Sequence, residues 1–230
     1  MPKIQACSEV DGLPSISPAK NYIPSWYPKT SVFVQNDKME TSPAVKSCFP
    51  FRDSFSTGYM AELWEDIVVE QGVGGSRVKF LQDTEDPNFY PAVTVRGSEF
   101  TNPMPAPNGY ENKHYAWNNP YLIKAPKGYS LLITQPLNQY DTPFMTLSAI
   151  VDCDEDLLGS GRIPFYIKDG FKGLVKKGTP IFQIIPIKRE DWNLEENTGL
   201  RKDNIIRLDN VESSGGGWYK KNLWKRKEYK

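Results

Sequence analysis

Proline and glycine are spread through almost the whole chain, and they limit its possible folds more than any other feature. The 230 residues contain 19 prolines and 17 glycines. Proline breaks the interior of a helix, and glycine marks turns. Helices of ordinary length therefore have little room, and the short β-branched and aromatic runs between these residues indicate strands.

The apolar runs recur with turn signals about every 8–12 residues, which is typical of a sandwich or a barrel. Strands are predicted at residues 67–69, 78–81, 93–95, 121–123, 129–134, 146–151, 163–167 and 181–187. Residues 101–120 contain four prolines and are predicted to form a long loop. One or two helical turns are predicted within residues 189–200. The predicted fold class is all-β.

Composition divides the chain into three predicted segments. Residues 1–50 are rich in proline and are expected to form an extended arm. Residues 51–212 are expected to form a β-sandwich core. Residues 213–230 are expected to form a flexible basic and aromatic tail that begins with Ser213-Ser214-Gly215-Gly216-Gly217.

Charge and cysteine content exclude several classes of protein. Lys+Arg and Asp+Glu are equal at 28 each, so attraction of the whole protein to nucleic acid or to an anionic membrane is not supported. No apolar run approaches 18 residues, and residues 1–7 do not resemble a secretory signal. Cys7, Cys48 and Cys153 are far apart, so no disulfide framework or metal pair is predicted, and a reducing compartment is expected.

The chain contains one histidine, His114. Zinc sites with several histidines and facial triads need more than one. A Ser-His-Asp triad would have to use His114, and the sequence has no Gly-x-Ser-x-Gly elbow to supply the serine. His114 is therefore expected to be a solvated loop residue, and no metal site or resident cofactor is predicted.

Five segments, read in order, resemble the five motifs of the dUTPase family. They are residues 56–69, which contain Tyr59-Met60-Ala61; Ala125-Pro126-Lys127-Gly128-Tyr129 through Thr134-Gln135-Pro136; Ala149-Ile150-Val151-Asp152-Cys153-Asp154; Lys177-Gly178-Thr179-Pro180-Ile181-Phe182-Gln183; and Gly215-Gly216-Gly217-Trp218. The resemblance implies a jelly-roll or clip-like β-sandwich with terminal arms that assembles as a homotrimer. It also implies that Asp152 stands at the position of the water-activating carboxylate, that Gln183 belongs to the ligand site and that Trp218 covers the base.

The departures from the family pattern fall on its chemistry. Gln135 and Pro136 stand where the family has a phosphate-gripping arginine and serine. Met60 replaces a metal-holding acid, Thr179-Pro180 replaces an acid and an arginine, and Glu155-Asp156 stand where the family has a tyrosine. One carboxylate without cationic partners cannot stabilise the charge of phosphoryl transfer, so an active dUTPase is not expected.

A second resemblance is to an uncharacterised protein family of tailed phages and some bacteria. Three stretches carry it: Ile23-Pro24-Ser25-Trp26, Cys48-Phe49-Pro50-Phe51, and Lys127-Gly128-Tyr129 through Gln135-Pro136-Leu137-Asn138. In that family Thr-Gln-Pro-Leu-Asn is the rule, so the missing arginine is a family trait. This family brings no established activity.

Two clusters of charge have more than one interpretation. The acidic run of Asp152, Asp154, Glu155 and Asp156 suits a cation site, a general base or a solvated turn. The tail suits single-stranded nucleic acid, an acidic neighbouring subunit or plain solvation. Its candidate contact residues are Lys220, Lys221, Trp224, Lys225, Arg226 and Lys227.

Two functions remain open at this stage. The first is a non-enzymatic phage structural protein, a capsid decoration or a tail or connector component, that locks onto other virion subunits through its arms. The second is a nucleotide-binding protein or a weak dUTPase-like hydrolase that uses Asp152, Gln183 and Trp218, with Mg²⁺ if it is hydrolytic. Either location, the virion or the host cytoplasm, fits a chain expected to be neither secreted nor membrane-spanning.

Overall fold

A computed structural model describes residues 2–82, 85–86, 88–96, 104–159, 161–213 and 217–230, and this part of the chain is mostly β. The strands are β1 Gln5–Ser8, β2 Ser17–Pro18, β3 Phe33–Gln35, β4 Thr41–Pro43, β5 Tyr59–Glu62, β6 Ile67–Gly72, β7 Gly75–Phe80, β8 Val93–Val95, β9 Tyr110–Asn118, β10 Tyr121–Lys124, β11 Tyr129–Thr134, β12 Phe144–Thr146, β13 Ala149–Asp152, β14 Arg162–Lys168, β15 Gly173–Val175 and β16 Pro180–Lys188. The α-helices are α1 Trp26–Lys29, α2 Phe49–Ser56, α3 Leu200–Ser213 and α4 Trp218–Asn222, and two 3₁₀ turns cover Ala19–Tyr22 and Val45–Ser47. The all-β prediction is confirmed.

The strands form two larger sheets and three smaller ones in the described part of the chain. The larger sheets have the strand orders β13-β11-β16-β5-β2 and β12-β14-β9-β8. The smaller sheets pair β1 with β10, β15 with β6 and β7, and β3 with β4. The pairs are antiparallel throughout, which suits short strands joined by turns.

The chain forms two compact units. The first unit comprises residues 1–24, 55–189 and Tyr229, and the second comprises residues 25–54, 190–228 and Lys230. The first part of the predicted arm therefore lies in the first unit, because β1 pairs with β10 and β2 pairs with β5. The remainder of that arm shares the second unit with the C-terminal residues.

The core of the first unit forms where the inward faces of the two larger sheets meet. Leu131, Ile133 and Ile184 belong to one sheet, and Tyr115 and Trp117 belong to the other. The Trp117 ring stacks on Phe165 of the neighbouring strand at 3.7 Å between ring centroids. Aromatic residues bury more apolar area than other side chains, so this stack fixes the centre of the β12-β14-β9-β8 sheet.

Strand β9 corrects the loop predicted for residues 101–120. Four prolines led to that prediction, but the nine residues of β9 lie between Pro107 and Pro120 and contain none. Their side chains alternate between the two faces of the sheet, and Tyr115 and Trp117 lie on the face that points into the core. The prolines limit the strand without interrupting it.

The second unit contains helices that the sequence did not predict. Residues 189–199 contain no helical turn, and α3 begins after them at Leu200. Helix α2 carries Pro50 in its first turn, where a missing backbone donor costs little. In the part of the chain that the structure describes, no helix is long and apolar enough to cross a membrane.

Candidate functional site

Asp152 lies at the end of β13, where its carboxylate is held by two neighbouring groups. Its Oδ1 atom accepts hydrogen bonds from Ser130 Oγ at 2.5 Å and from Arg189 Nη1 at 3.3 Å. Ser130 and Asp152 stand directly opposite each other in the β11–β13 pair. The sequence analysis assigned this carboxylate no cationic partner, and Arg189 provides one.

Asp154 completes this corner of the β-sheet. Its Oδ2 atom accepts hydrogen bonds from Arg189 Nη2 and from the backbone N–H of Gly128, the latter at 2.9 Å. The hydrogen bond from Arg189 lowers the pKa of Asp154 to about 2. Two of the four acids in the run therefore tie the β11 and β13 strands to the residue that follows β16. Among the described residues, no group of three or more His, Cys, Asp or Glu side chains is placed to hold a metal ion.

Gln183 has no exposed surface, and both ends of its amide are used inside the protein. Its Oε1 accepts a hydrogen bond from Leu137 N at 2.8 Å, and its Nε2 donates to Thr57 O at 2.6 Å. The amide therefore holds the loop after β11 to the turn before β5. A ligand would have to break both of these hydrogen bonds to reach the side chain.

The fold does not bring Asp152 and Gln183 together within one chain. Asp152 is opposite Ser130, and Gln183 is opposite Thr134, on the same strand β11. Four residues of a strand span about 13 Å. Trp218, the third predicted ligand residue, belongs to the second unit as the first residue of α4. Gly215 and Gly216, which precede it in the predicted glycine-rich motif, lie outside the described residues.

Gln135, at the position of the family's arginine, belongs to an internal hydrogen-bond network. Its Nε2 donates to Thr142 Oγ1 at 3.0 Å, and its Oε1 accepts from Thr146 N at 2.7 Å. Thr146 Oγ1 in turn accepts from Trp117 Nε1 at 2.9 Å and donates to Ile181 O at 2.6 Å. The network joins the loop after β11 to the core, so the Gln135 side chain stabilises the fold at this point.

The predicted tail residues contact the N-terminal part of the second unit. Asp53 Oδ2 accepts hydrogen bonds from Trp224 Nε1 at 2.9 Å and from Lys227 Nζ at 2.6 Å. The Trp224 ring lies 5.3 Å from the Phe49 ring, and the Lys220 ammonium lies 5.6 Å from the Phe49 centroid. Trp224, Lys227 and Lys220 therefore dock on α2.

The other candidate tail residues make fewer contacts of this kind. Arg226 Nε lies 3.0 Å from Glu228 Oε1, within the tail itself. The backbone carbonyl of Lys225 accepts a hydrogen bond from Lys227 Nζ at 3.1 Å. Lys221 lies at the end of α4 and is exposed. All three residues are exposed to solvent.

His114 is not the solvated loop residue that the sequence analysis expected. It lies in β9 opposite Tyr166 of β14, and 2% of its surface is exposed. Among the described residues, neither ring nitrogen has a hydrogen-bond partner, and burial lowers the pKa of the imidazole. The polar neighbour Lys113 led to that expectation, but His114 lies on the face of β9 opposite to Tyr115 and Trp117, and this face is buried as well.

Sequence reasoning missed a cleft of about 700 Å³ in the first unit. Its basic residues are Lys168, at the end of β14, and Lys176 and Lys177, in the turn between β15 and β16. Its apolar surface comes from Phe171, Leu174, Val175, Pro143 and Pro180. The pair Lys176-Lys177 was visible in the sequence, but its companions belong to separate segments that only the fold brings together.

The turn that carries Lys176 and Lys177 is held firmly by the backbone. Gly178 N donates to Leu63 O at 2.7 Å, and Leu63 N donates to Thr179 O at 2.8 Å. Lys177 N donates to Asp66 Oδ1 at 2.6 Å. Gly178 adopts a φ of 84°, which favours glycine. The two lysines are therefore presented from a fixed position, and no ion-pair partner for either occurs among the described residues.

Comparison with protein families gives no match, and comparison with curated proteins gives none either. Solved structures that are similar include two mutants of a dUTPase of Staphylococcus bacteriophage 80alpha with dUpNHpp. They are 10% and 12% identical in sequence, both have a TM-score of 0.36, and the alignments cover 85% of this chain and 97% and 88% of theirs. A mutant dUTPase of phage phi11 of S. aureus matches with a TM-score of 0.35 and 10% identity, over 85% of this chain and 97% of that one. The proposals that follow rest on the contacts within this chain.

Proposed function

We propose that this protein is a non-enzymatic structural component of a phage virion, a capsid-decoration or tail or connector protein, and that it assembles through its second unit. The expected assembly is a homo-oligomer, with the trimer that the dUTPase resemblance implies as the first candidate. The phage assignment comes from the three stretches that resemble the tailed-phage family. The expected location is the virion, or the host cytoplasm before assembly.

The observation that carries the proposal is how little the second unit buries. In its described part, Tyr27 is the one hydrophobic residue that is buried. More than half of the large hydrophobic side chains that the described chain exposes belong to this unit. Exposed apolar surface on this scale is typical of a surface that another protein covers.

The hairpin of β3 and β4 illustrates the lack of burial. All six of its strand residues are exposed, including Phe33 and Val34. A two-stranded hairpin is marginally stable in water unless it packs against something else. We infer that these strands are completed by a neighbouring subunit.

Helix α3 supports the same conclusion. It has 14 residues and no buried residue, and it exposes Ile205, Ile206 and Leu208. Isolated helices of this length are marginal in water, because most helical stability in proteins comes from packing of an apolar face. A subunit that covers α3 would supply that packing.

The contacts of the predicted ligand residues favour assembly over nucleotide chemistry. Asp152 is paired with Arg189, and Gln183 uses both ends of its amide within the fold. Binding through Gln183 would require the protein to break contacts that it already makes, whereas the Asp152 side chain is 69% exposed and requires no such change. A ligand that breaks them loses much of the free energy that its own hydrogen bonds contribute.

Sedimentation velocity across a range of protein concentrations tests the proposal. We expect the wild-type protein to assemble, and we expect deletion of residues 213–230 to abolish assembly, because the deletion removes Trp224 and Lys227 from α2. The substitutions Ile205→Ser and Leu208→Ser should weaken assembly, whereas the matched exposed substitutions Val73→Ser and Leu81→Ser in the first unit should not. A wild-type protein that stays monomeric at every concentration would refute the proposal.

Nucleotide binding is the alternative, and thermal melting separates the two. A ligand that binds the folded protein raises its melting temperature. We expect a panel of nucleotides, with and without Mg²⁺, to leave the melting temperature unchanged. A clear rise with one nucleotide, lost in Asp152→Asn, would favour the binding protein instead.

A further inference from the structure

The segment that follows Arg189, at the start of the C-terminal part of the second unit, has the composition of a docking peptide. Residues 190–196 read Glu-Asp-Trp-Asn-Leu-Glu-Glu and have no secondary structure. Trp192 is 85% exposed and Leu194 is 98% exposed. In an extended chain these two side chains point to the same side, because side chains alternate every second residue. Acidic residues flank the pair on both sides.

The lysine cleft of the first unit has the complementary chemistry. Phe171, Leu174 and Val175 offer apolar surface, and Lys168, Lys176 and Lys177 supply positive charge. Among its lining residues in the described chain, Asp141 alone is acidic. A volume of about 700 Å³ is that of a pocket for a large ligand, and it is ample for two side chains.

We propose that residues 190–196 of one copy dock in the lysine cleft of a second copy. Trp192 and Leu194 cover the apolar surface of the cleft, and the flanking acids, Glu195 and Glu196 among them, pair with Lys176 and Lys177. Opposite charges at the rim direct the encounter and fix the register, while the buried tryptophan supplies most of the affinity. This inference rests on the proposed function, since it names the contact through which the copies assemble.

The length of the chain places the occupant in a second copy. The cleft contains Pro180, the first residue of β16, and the docking segment follows Lys188, the last residue of that strand. Nine residues of strand span about 26 Å. The four residues from Lys188 to Trp192 reach about 14 Å when fully extended. The reach of about 14 Å is shorter than the length of β16, about 26 Å, so Trp192 cannot return along β16 to Pro180 in the cleft of its own chain.

Charge exchange between two variants tests this contact directly. One variant carries Lys176→Glu and Lys177→Glu, and the other carries Glu195→Lys and Glu196→Lys. We expect each variant alone to assemble at least about tenfold more weakly than the wild type. An equal mixture should recover assembly, because each cleft then meets a segment of opposite charge. The control variant with Lys20→Glu and Lys127→Glu, which lie outside the cleft, should assemble as the wild type does.

A second pair of variants tests the apolar part. Trp192→Ala with Leu194→Ala should also weaken assembly at least about tenfold, and the matched pair Val73→Ala with Leu81→Ala should leave it unchanged. All four positions are exposed, so circular dichroism should show the same fold in each variant. A fluorescent peptide of residues 189–199 should bind the Trp192→Ala, Leu194→Ala protein and should lose binding when Lys176→Glu and Lys177→Glu are added.

The outcomes separate this inference from the proposed function. If deletion of residues 213–230 abolishes assembly while the cleft and Trp192 variants assemble as the wild type does, the copies associate through the second unit by another contact, and the docking proposal is wrong. If the wild type is monomeric throughout, the proposed function itself fails. Peptide binding that is insensitive to the lysine substitutions would also overturn the cleft assignment.

Discussion

Arg189 binds Asp154 through its Nη2 atom and Asp152 through its Nη1 atom, so one guanidinium joins the end of β16 to the turn after β13. The bond lowers the pKa of Asp154 to about 2, from an ordinary value of 3.8. A carboxyl whose folded pKa is depressed stabilises the protein above its unfolded pKa, and that contribution is lost as the pH falls through the folded pKa.

The pH dependence of Arg189→Gln follows from this sign. We expect the variant to melt below the wild type at pH 7 and the difference to shrink as the pH falls from about 4 to about 2. Melting curves of both proteins at pH 7, 4, 3 and 2 measure it. Glu155→Gln, an exposed neighbour in the same acidic run, serves as the control and should not show this pattern. A difference that is the same at pH 7 and pH 2 would remove Asp154 from the explanation.

Glu65 should show the opposite dependence on pH. Its Oε1 accepts a hydrogen bond from Ala92 N at 2.6 Å, while its Oε2 is buried without a hydrogen-bond partner among the described residues. Burial raises the pKa of this carboxyl above its ordinary value of 4.5. Its contribution to stability is therefore fully present below pH 4.5 and is lost as the pH rises through the folded pKa.

The substitution Glu65→Gln tests that sign. The amide keeps an acceptor for Ala92 N and removes the buried charge, so we expect a higher melting temperature than the wild type at pH 8 and no gain at pH 4. Glu70→Gln, at an exposed position of β6, is the matched control. A Glu65→Gln protein that is less stable than the wild type at pH 8 would show that the carboxylate has a partner of its own.

Gln183→Leu should destabilise the first unit strongly. The change replaces the amide with an apolar side chain of similar size and leaves Leu137 N and Thr57 O without their partner. Each unsatisfied group costs about 1–3 kcal/mol, so for the two groups we expect a loss of about 2–6 kcal/mol in the free energy of unfolding. Urea denaturation measures it, and Gln5→Leu, at an exposed position of β1, should change stability by less than about 0.5 kcal/mol. An equally small effect at Gln183 would mean that the amide is free to serve a ligand.

Asp53→Asn should loosen the C-terminal tail without unfolding the protein. Asn keeps an acceptor for Trp224 Nε1 and loses the ion pair with Lys227, which joins two partly exposed groups. We expect trypsin to cleave faster after Lys225, Arg226 and Lys227, and Trp224→Ala to accelerate it further because the contact with Phe49 is lost as well. Asp37→Asn, in an exposed turn, is the control. Cleavage at the wild-type rate in both variants would show that other contacts hold the tail.

The strands were the part of the fold that the sequence predicted well. β-Branched runs such as Ile67-Val68-Val69 and Ile181 through Ile187 carry their own local signal, and they are strands β6 and β16. β9 was missed because its flanking prolines outweighed the alternation of Tyr115 and Trp117. α3 was missed because its apolar residues form no face that periodicity would detect.

The candidate sites depend on contacts between distant residues, which local patterns do not reveal. Arg189 follows β16, and the pairing of Tyr129 with Lys188 brings it beside the acids of β13. The sequence analysis therefore found the acidic run and missed its cation. In the same way, Lys168 and Lys176 stand at the ends of different strands, and the fold makes them neighbours of one cleft.

The contact between Asp53 and Trp224 has a consequence for the order in which the protein forms during synthesis. The two residues are 171 positions apart. At about 5–20 residues per second, a ribosome takes roughly ten to thirty seconds to pass from one to the other. During that interval Phe49 and Arg52 lack their contacts with the Trp224 ring. Strands β5 to β16 are synthesised in the same interval. The second unit therefore gains the contact between Asp53 and Trp224 only after every strand of the first unit has been synthesised.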